Sequence, residues 1–173
     1  LMYIDGPDED VLSQALADFP GSVHLSLLAL PVFEGLTPIE TADLLSTASQ
    51  FHCPSGRIAD LTAKQGQGAY FYRFTRKRTG ADAYGAYHGA EIPYVFDTHD
   101  DWLPTRAEDR ALTETMMQYW VAFARTGNPN QAGLPDWPRY VPGDGYVQEL
   151  GDRVGSTKDF MAPLCDALIG GIE

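Results

Sequence analysis

The chain contains no run of about 18 apolar residues, so nothing in it reads as a membrane-spanning helix. Positive charge is also scarce: 12 Lys and Arg stand against 24 Asp and Glu, a formal net charge of −12. Phosphate backbones are held by basic surfaces, so nucleic acid is excluded as a partner, and anionic ligands are disfavoured. The one basic cluster, Arg76–Lys77–Arg78, reads as a solvated loop. Only two cysteines are present, Cys53 and Cys165, and no C-x-x-C pair, which removes zinc-ribbon and thioredoxin-like chemistry. From the residues alone, the two could simply be buried thiols. There is no N-x-[ST] sequon, internal repeat or low-complexity tract. The opening LMYIDGPDED has no basic stretch ahead of an apolar one, so it is not read as a signal peptide, nor does it resemble a natural protein start.

What is there suffices for a core. The 173 residues are 44% hydrophobic, a size and composition that fit one ordinary domain. Residues 1–52 read as mostly helical. Pro7 suits a first helical turn, and Val11, Leu12, Ala15, Leu16 and Phe19 fall at helical spacing before Pro20-Gly21. The apolar run Leu25–Leu30 fits a buried helix or a strand, and periodicity leaves both open. Thr37-Pro38-Ile39-Glu40 is a capping box that starts a helix running to about Ser49, with Leu44, Leu45 and Ala48 inward. A second helix fits Pro54–Lys64, stopped at Gly66. Gly66-Gln67-Gly68 precedes a strand rather than opening a helix, so it is not a dinucleotide loop.

The longest helix is expected over Ala107–Thr126, with Leu112, Met116, Trp120 and Phe123 as its core stripe and Met117, Val121 and Ala124 beside it. Gly127 ends it, and Asn128-Pro129-Asn130 makes the exit turn. Asp136–Tyr140 reads as irregular, Tyr146–Leu150 as a short edge strand, and Lys158–Leu168 as a closing helix.

The stretch that organises the chain is Ala69–Phe96. Tyr70, Phe71, Tyr72 and Phe74 predict a strand over Ala69–Phe74. A basic, Gly-rich loop follows and delivers His88 between Tyr87 and Gly89, with Gly85 allowing a second tight turn. An imidazole on a loop just past a strand end is both held and reachable, though a hydrogen-bonded or merely exposed histidine gives the same local pattern. Glu91, three residues on, can reach back toward it if the segment is helical, and a surface or structural carboxylate fits the local pattern equally well. Asp97, His99, Asp100 and Asp101 are potential metal ligands, but a carboxylate-rich turn at a helix start gives the same pattern and is preferred. His52 and His24 have no ligand spacing behind them.

Four blocks in order, AYFYRF, GAYHGAEIPYVF, YWVAFARTGNPN and DWPRY, resemble the C-terminal third of the type-B carboxylesterases, a family that includes bacterial carboxylesterases, fungal lipases and cholinesterases. The similarity runs from about Phe51 to Cys165. The resemblance implies the C-terminal portion of an α/β-hydrolase fold, its last sheet strand plus flanking helices, incomplete on its own. It makes residues 1–173 one segment of a single domain. It implies a serine esterase or lipase acting on a small-molecule ester, with His88 as general base and Glu91 as a carboxylate that helps organise the pocket. No cofactor or metal is implied. Cholinesterase-like members pair two cysteines at the places of Cys53 and Cys165. The resemblance therefore predicts a disulfide and, with it, a secreted or periplasmic setting.

Such an enzyme also needs a serine on a G-x-S-x-G elbow, a carboxylate to orient the imidazole, and backbone donors for the oxyanion. None of the serines at 13, 22, 26, 46, 49, 55 and 156 stands in that frame, and no Gly-Gly oxyanion loop is present. Asp8-Glu9-Asp10 resembles the family's acid turn only superficially, since no strand precedes it and no glycine follows Glu9. The serine and the acid are therefore expected from an N-terminal portion of the same enzyme. Two alternatives stand beside this reading: a non-catalytic, cholinesterase-like adhesion module, and a self-standing binding domain. A Gly-flanked histidine favours the enzyme.

Overall fold

The computed structural model describes residues 8–82 and 84–170, for Glu9 and Gly170 the backbone alone. Pro7 and residues 171–173 lie outside it. The described residues divide into two compact units, one formed by those up to Ile58 together with those from Asp159 onward, the other by those within Ala59–Lys158.

The first unit is helical. It contains α1 (Asp8–Leu16), α2 (His24–Leu28), α3 (Pro38–Thr47), the start of α4 (Cys53–Lys64) and α7 (Ala162–Gly170). The apolar run near Leu27 is thus a helix, with Leu27 buried and Leu25 turned outward. Thr37 and Glu40 form the expected reciprocal cap. The two helices read as separate are joined, because Ala48–His52 is a π-helical turn that links α3 to α4. Pro54 has no N–H to give to the Gln50 carbonyl, so an ordinary α ladder cannot continue there. Leu16, Leu27, Phe33, Leu45, Leu164 and Leu168 fill the core. The Cys53–Cys165 disulfide is present and closes across 112 residues of sequence. Beside Cys53, His52 meets Asp159 at 2.7 Å, and both side chains are buried. His24 bonds the Phe19 carbonyl at 2.9 Å.

The second unit carries the sheet. β1 (Tyr72–Phe74) runs parallel to β2 (Tyr146–Leu150), which pairs antiparallel with β3 (Val154–Lys158). Between β1 and β2 the chain passes through α5 (Ile92–Phe96) and α6 (Ala107–Thr126). Three expectations change here. The first strand is shorter than Ala69–Phe74, because the Ala69 carbonyl accepts from the Tyr140 N–H at 2.8 Å instead of joining a ladder. It is not the last strand, since two more follow it. Tyr146–Leu150 is the central strand rather than an edge, flanked by β1 and β3. Gly151 makes the turn out of β2, where an added Cβ would stand 3.2 Å from the Arg76 nitrogen.

α6 spans the expected residues and ends at Gly127, whose φ of 72° is left-handed. Its inward line differs from the expected stripe. Asp109, Leu112, Met116 and Tyr119 are buried, whereas Met117, Val121 and Phe123 are exposed. Tyr94, Leu112, Met116, Tyr119, Trp137 and Leu150 form the core of this unit. Trp137 is its aromatic centre, with Tyr119 edge-on at 5.2 Å and Tyr72 at 5.9 Å. The exit turn of α6 holds it there: Asn130 accepts from the Trp137 N–H at 2.7 Å and donates to the Trp137 carbonyl at 2.8 Å. Two of the four sequence blocks are thus one clamp.

Candidate active site

His88 stands exposed on a turn between Tyr87 and Ala90, seated directly ahead of α5. The loop that leads to it is fixed at its start. Arg78 is almost fully buried and donates to the Leu103 carbonyl, to Thr105 Oγ1 at 3.1 Å and to Asp100 Oδ1 at 3.4 Å. Arg76 is likewise mostly buried and paired with acids. The basic cluster is therefore no solvated loop; only Lys77 faces water. Its carboxylate partners lie far along the sequence, out of reach of a local reading.

Gly85 (φ 61°) and Gly89 (φ 86°) take the left-handed conformations that bend the chain on either side of His88. The Ala90 N–H then donates to the Tyr87 carbonyl at 2.9 Å, Ile92 to Gly89 at 3.1 Å and Tyr94 to Glu91 at 2.9 Å. These short-range bonds carry the turn without a break into α5. Pro93 sits in the first turn of that helix, where a missing N–H costs nothing. Asp97 closes it in a left-handed conformation.

Glu91 is half-buried at the N-cap of α5. Its charge is felt on β1, where burial, and then the Glu91 carboxylate, push the Tyr72 phenol up.

Behind the turn lies a buried hub. Asp109, wholly buried, takes the Arg76 Nε–H at 2.7 Å and the Tyr94 hydroxyl at 2.7 Å on Oδ1, and the Arg106 N–H at 2.8 Å on Oδ2. Burial pushes its carboxyl up, but the bonds from Arg76, Tyr94 and the Arg106 backbone prevail and hold it at about 2. Arg76 also reaches Asp152 in the β2–β3 turn. One carboxylate thus joins the exit of β1, α5 and α6. Asp109 escaped the sequence reading because a buried charge breaks the apolar stripe. The signal available was an acid three residues past Arg106 at a helix start, the pattern of a capping box.

His99 packs edge-on against Tyr94 at 4.8 Å, and its Nε2 lies 2.7 Å from Thr113 Oγ1. Since the Thr113 hydroxyl donates to the Asp109 carbonyl, His99 is the donor in that pair. Burial first, and the nearby Arg78 charge next, push the His99 imidazole down. Asp97 caps α5 and Asp100 accepts from the Trp102 N–H, so these residues act as turn-formers.

Among the described residues of its own unit, no serine stands on a strand-to-helix elbow. Ser156, the one serine in Ala59–Lys158, sits in the middle of β3 opposite Gln148, not on a strand-to-helix elbow. The Glu9 side chain lies outside the described residues, and the backbone there is the first turn of α1.

Residues 37–164 match the family model described as "Carboxylesterase family". Among curated relatives, "Carboxylesterase 4A" of Bos taurus is 46% identical over 72 residues, covering 41% of this chain and 13% of the relative. "Cocaine esterase" of Homo sapiens is 34% identical over 107 residues, 58% of this chain and 19% of the relative. "Pyrethroid hydrolase Ces2a" of Mus musculus is 34% identical over 105 residues, 57% of this chain and 19% of the relative. The matching region thus spans less than a fifth of the length of these relatives. The family match over residues 37–164 includes the histidine turn, the hub behind it and the clamp around Trp137, and on that match the chain belongs to the carboxylesterase family.

Proposed function

We propose that residues 1–173 form the C-terminal segment of a single α/β-hydrolase domain that hydrolyses carboxylic esters, with His88 as its general base and acid. The observation that carries this is His88 itself: an exposed imidazole on a glycine-bent turn, backed by a buried hub, inside the stretch that matches the carboxylesterase family. In this chemistry the imidazole takes the proton of a serine hydroxyl as the oxygen attacks the ester carbonyl. It returns that proton to the departing alcohol, and a water molecule repeats the cycle on the acyl-enzyme. The serine and the acid that orients the imidazole come from an N-terminal portion of the same enzyme. Two observations support that partner. The chain spans 13–19% of its curated relatives. Among the described residues, β1 also has a strand on one edge only, which leaves the other able to extend a parallel sheet.

Glu91, whose charge acts on Tyr72 of β1, helps organise the pocket. The net charge of −12 favours an ester without negative charge of its own. The disulfide fits an oxidising compartment, extracellular or lumenal, and no described helix is long and apolar enough to cross a membrane.

The test is fluorophosphonate labelling of the native protein followed by peptide mass spectrometry. The reading expects the label on a serine outside residues 1–173. Failure of any serine to label, or a label confined to one of the seven serines of this chain, would remove the esterase assignment and favour a binding module.

A further inference from the structure

We propose that Asp109 is a positioning residue for His88, acting through the Tyr94 hydroxyl. The proposal rests on the esterase reading. It deepens that reading by naming a tie between the turn that carries the imidazole and the sheet.

The turn that carries His88 is bent by two left-handed glycines, closed by a short backbone bond from Ala90 to Tyr87, and ends on the buried Ala90. Upstream, the Tyr84 and Gly85 N–H groups bond the carbonyl of buried Ala81, and Tyr87 packs edge-on against Trp102 at 6.1 Å. Downstream, the bonds from Ile92 to Gly89 and from Tyr94 to Glu91 make the turn and α5 one piece. α5 has only five residues, too few to hold itself, so its place depends on Tyr94. That ring is wholly buried, packed at a tilt on Phe74 of β1 at 5.1 Å and edge-on to His99 at 4.8 Å, and its hydroxyl ends on Asp109 at 2.7 Å. Ring packing allows a short helix to slide or rotate, whereas a directional bond to a fixed carboxylate does not.

Asp109 is a fixed acceptor, because the Arg106 N–H and Arg76 Nε–H hold it from two further directions. Arg76 leaves β1 two residues past its end, so the sheet is the reference frame to which the histidine turn is tied.

Two variants separate positioning from mere stability, assayed in the native esterase with p-nitrophenyl butyrate and normalised to fluorophosphonate-titrated sites. Tyr94→Phe keeps the ring and its packing and removes only the hydroxyl. It is expected to lower kcat per titrated site by about tenfold with KM within about twofold, since misplacing a reacting group costs rate rather than binding. Asp109→Asn is expected to lower kcat in the same direction, and the double variant to add little to the larger single effect, because both act through one bond. Hydrogen exchange at the Ala90 and Ile92 amides should accelerate in both. A purely structural role would reduce the number of titratable sites and leave kcat per site unchanged. That result in Tyr94→Phe overturns the proposal, even where Asp109→Asn fails to fold. If the unmodified protein has no titratable site at all, the esterase reading falls and this proposal with it.

Discussion

Replacing Asp109 by Asn leaves a side chain of the same shape without the charge that Arg76 faces. The consequence is a pH-dependent loss of stability whose size follows from the hub. The carboxyl stands at about 2 in the folded protein against an ordinary value of 3.8. A group depressed on folding contributes stability above its unfolded value and loses it as pH falls through the folded one. At ~1.36 kcal/mol per pH unit, the gap corresponds to roughly 2.5 kcal/mol at neutral pH. By about pH 2.5 the same arithmetic leaves roughly 0.8 kcal/mol. The other carboxylates are common to both proteins, so the difference between wild type and Asp109→Asn isolates this one. The assay is amide exchange at Tyr94 and Arg110, whose bonds to Glu91 and Arg106 report on α5 and the start of α6. Wild type should be the more protected above about pH 5, and the gap should narrow steadily below pH 4. A difference that stays the same across that range would refute the idea that an ionised Asp109 anchors these helices.

Three further outcomes are expected. Reducing the Cys53–Cys165 bond opens a loop that closes across 112 residues. On the chain-entropy model this costs about 4–5 kcal/mol, so the urea midpoint should fall clearly in dithiothreitol, and an unchanged midpoint would contradict it. Asn130→Ala removes both side-chain bonds to the Trp137 backbone. It should destabilise by about 1–3 kcal/mol and weaken the near-ultraviolet dichroism of the aromatic cluster, whereas an unchanged spectrum would sink the clamp. Gly127→Ala meets no atom within 4 Å but must adopt a φ of 72°. It should cost about 1–2 kcal/mol in thermal unfolding from backbone strain alone, and a neutral result would argue against that C-cap.

The helices were legible wherever punctuation and period agreed. Thr37 and Glu40 marked the start of α3, and Gly127 marked the end of α6, because caps and left-handed stops are local chemistry. What the sequence hid was long-range. The rotation of α6 about its axis is set by Asp109, which binds Arg76 from 33 positions earlier. Tyr119 is therefore buried where Phe123 was expected, since a hydrophobic stripe cannot register a buried carboxylate. Arg78 was misread for the same reason, its acceptors lying on the segment around Leu103. β3 was missed because Gly155, Ser156 and Thr157 carry little strand signal without the partner they pair with on β2. At the candidate site, the turn around His88 was visible through its glycines. The hub behind it was not, as Tyr94 and Asp109 meet only once α5 and α6 are packed.

In the proposed function, His88 moves the proton in ester hydrolysis. The most direct measurement is turnover of p-nitrophenyl butyrate by His88→Ala, compared with wild type in the native enzyme. Loss of the general base should lower kcat/KM by at least ~10³-fold while fold and disulfide remain intact. A variant that keeps turnover within about tenfold of wild type would contradict the account and leave His88 a surface histidine on a well-built turn.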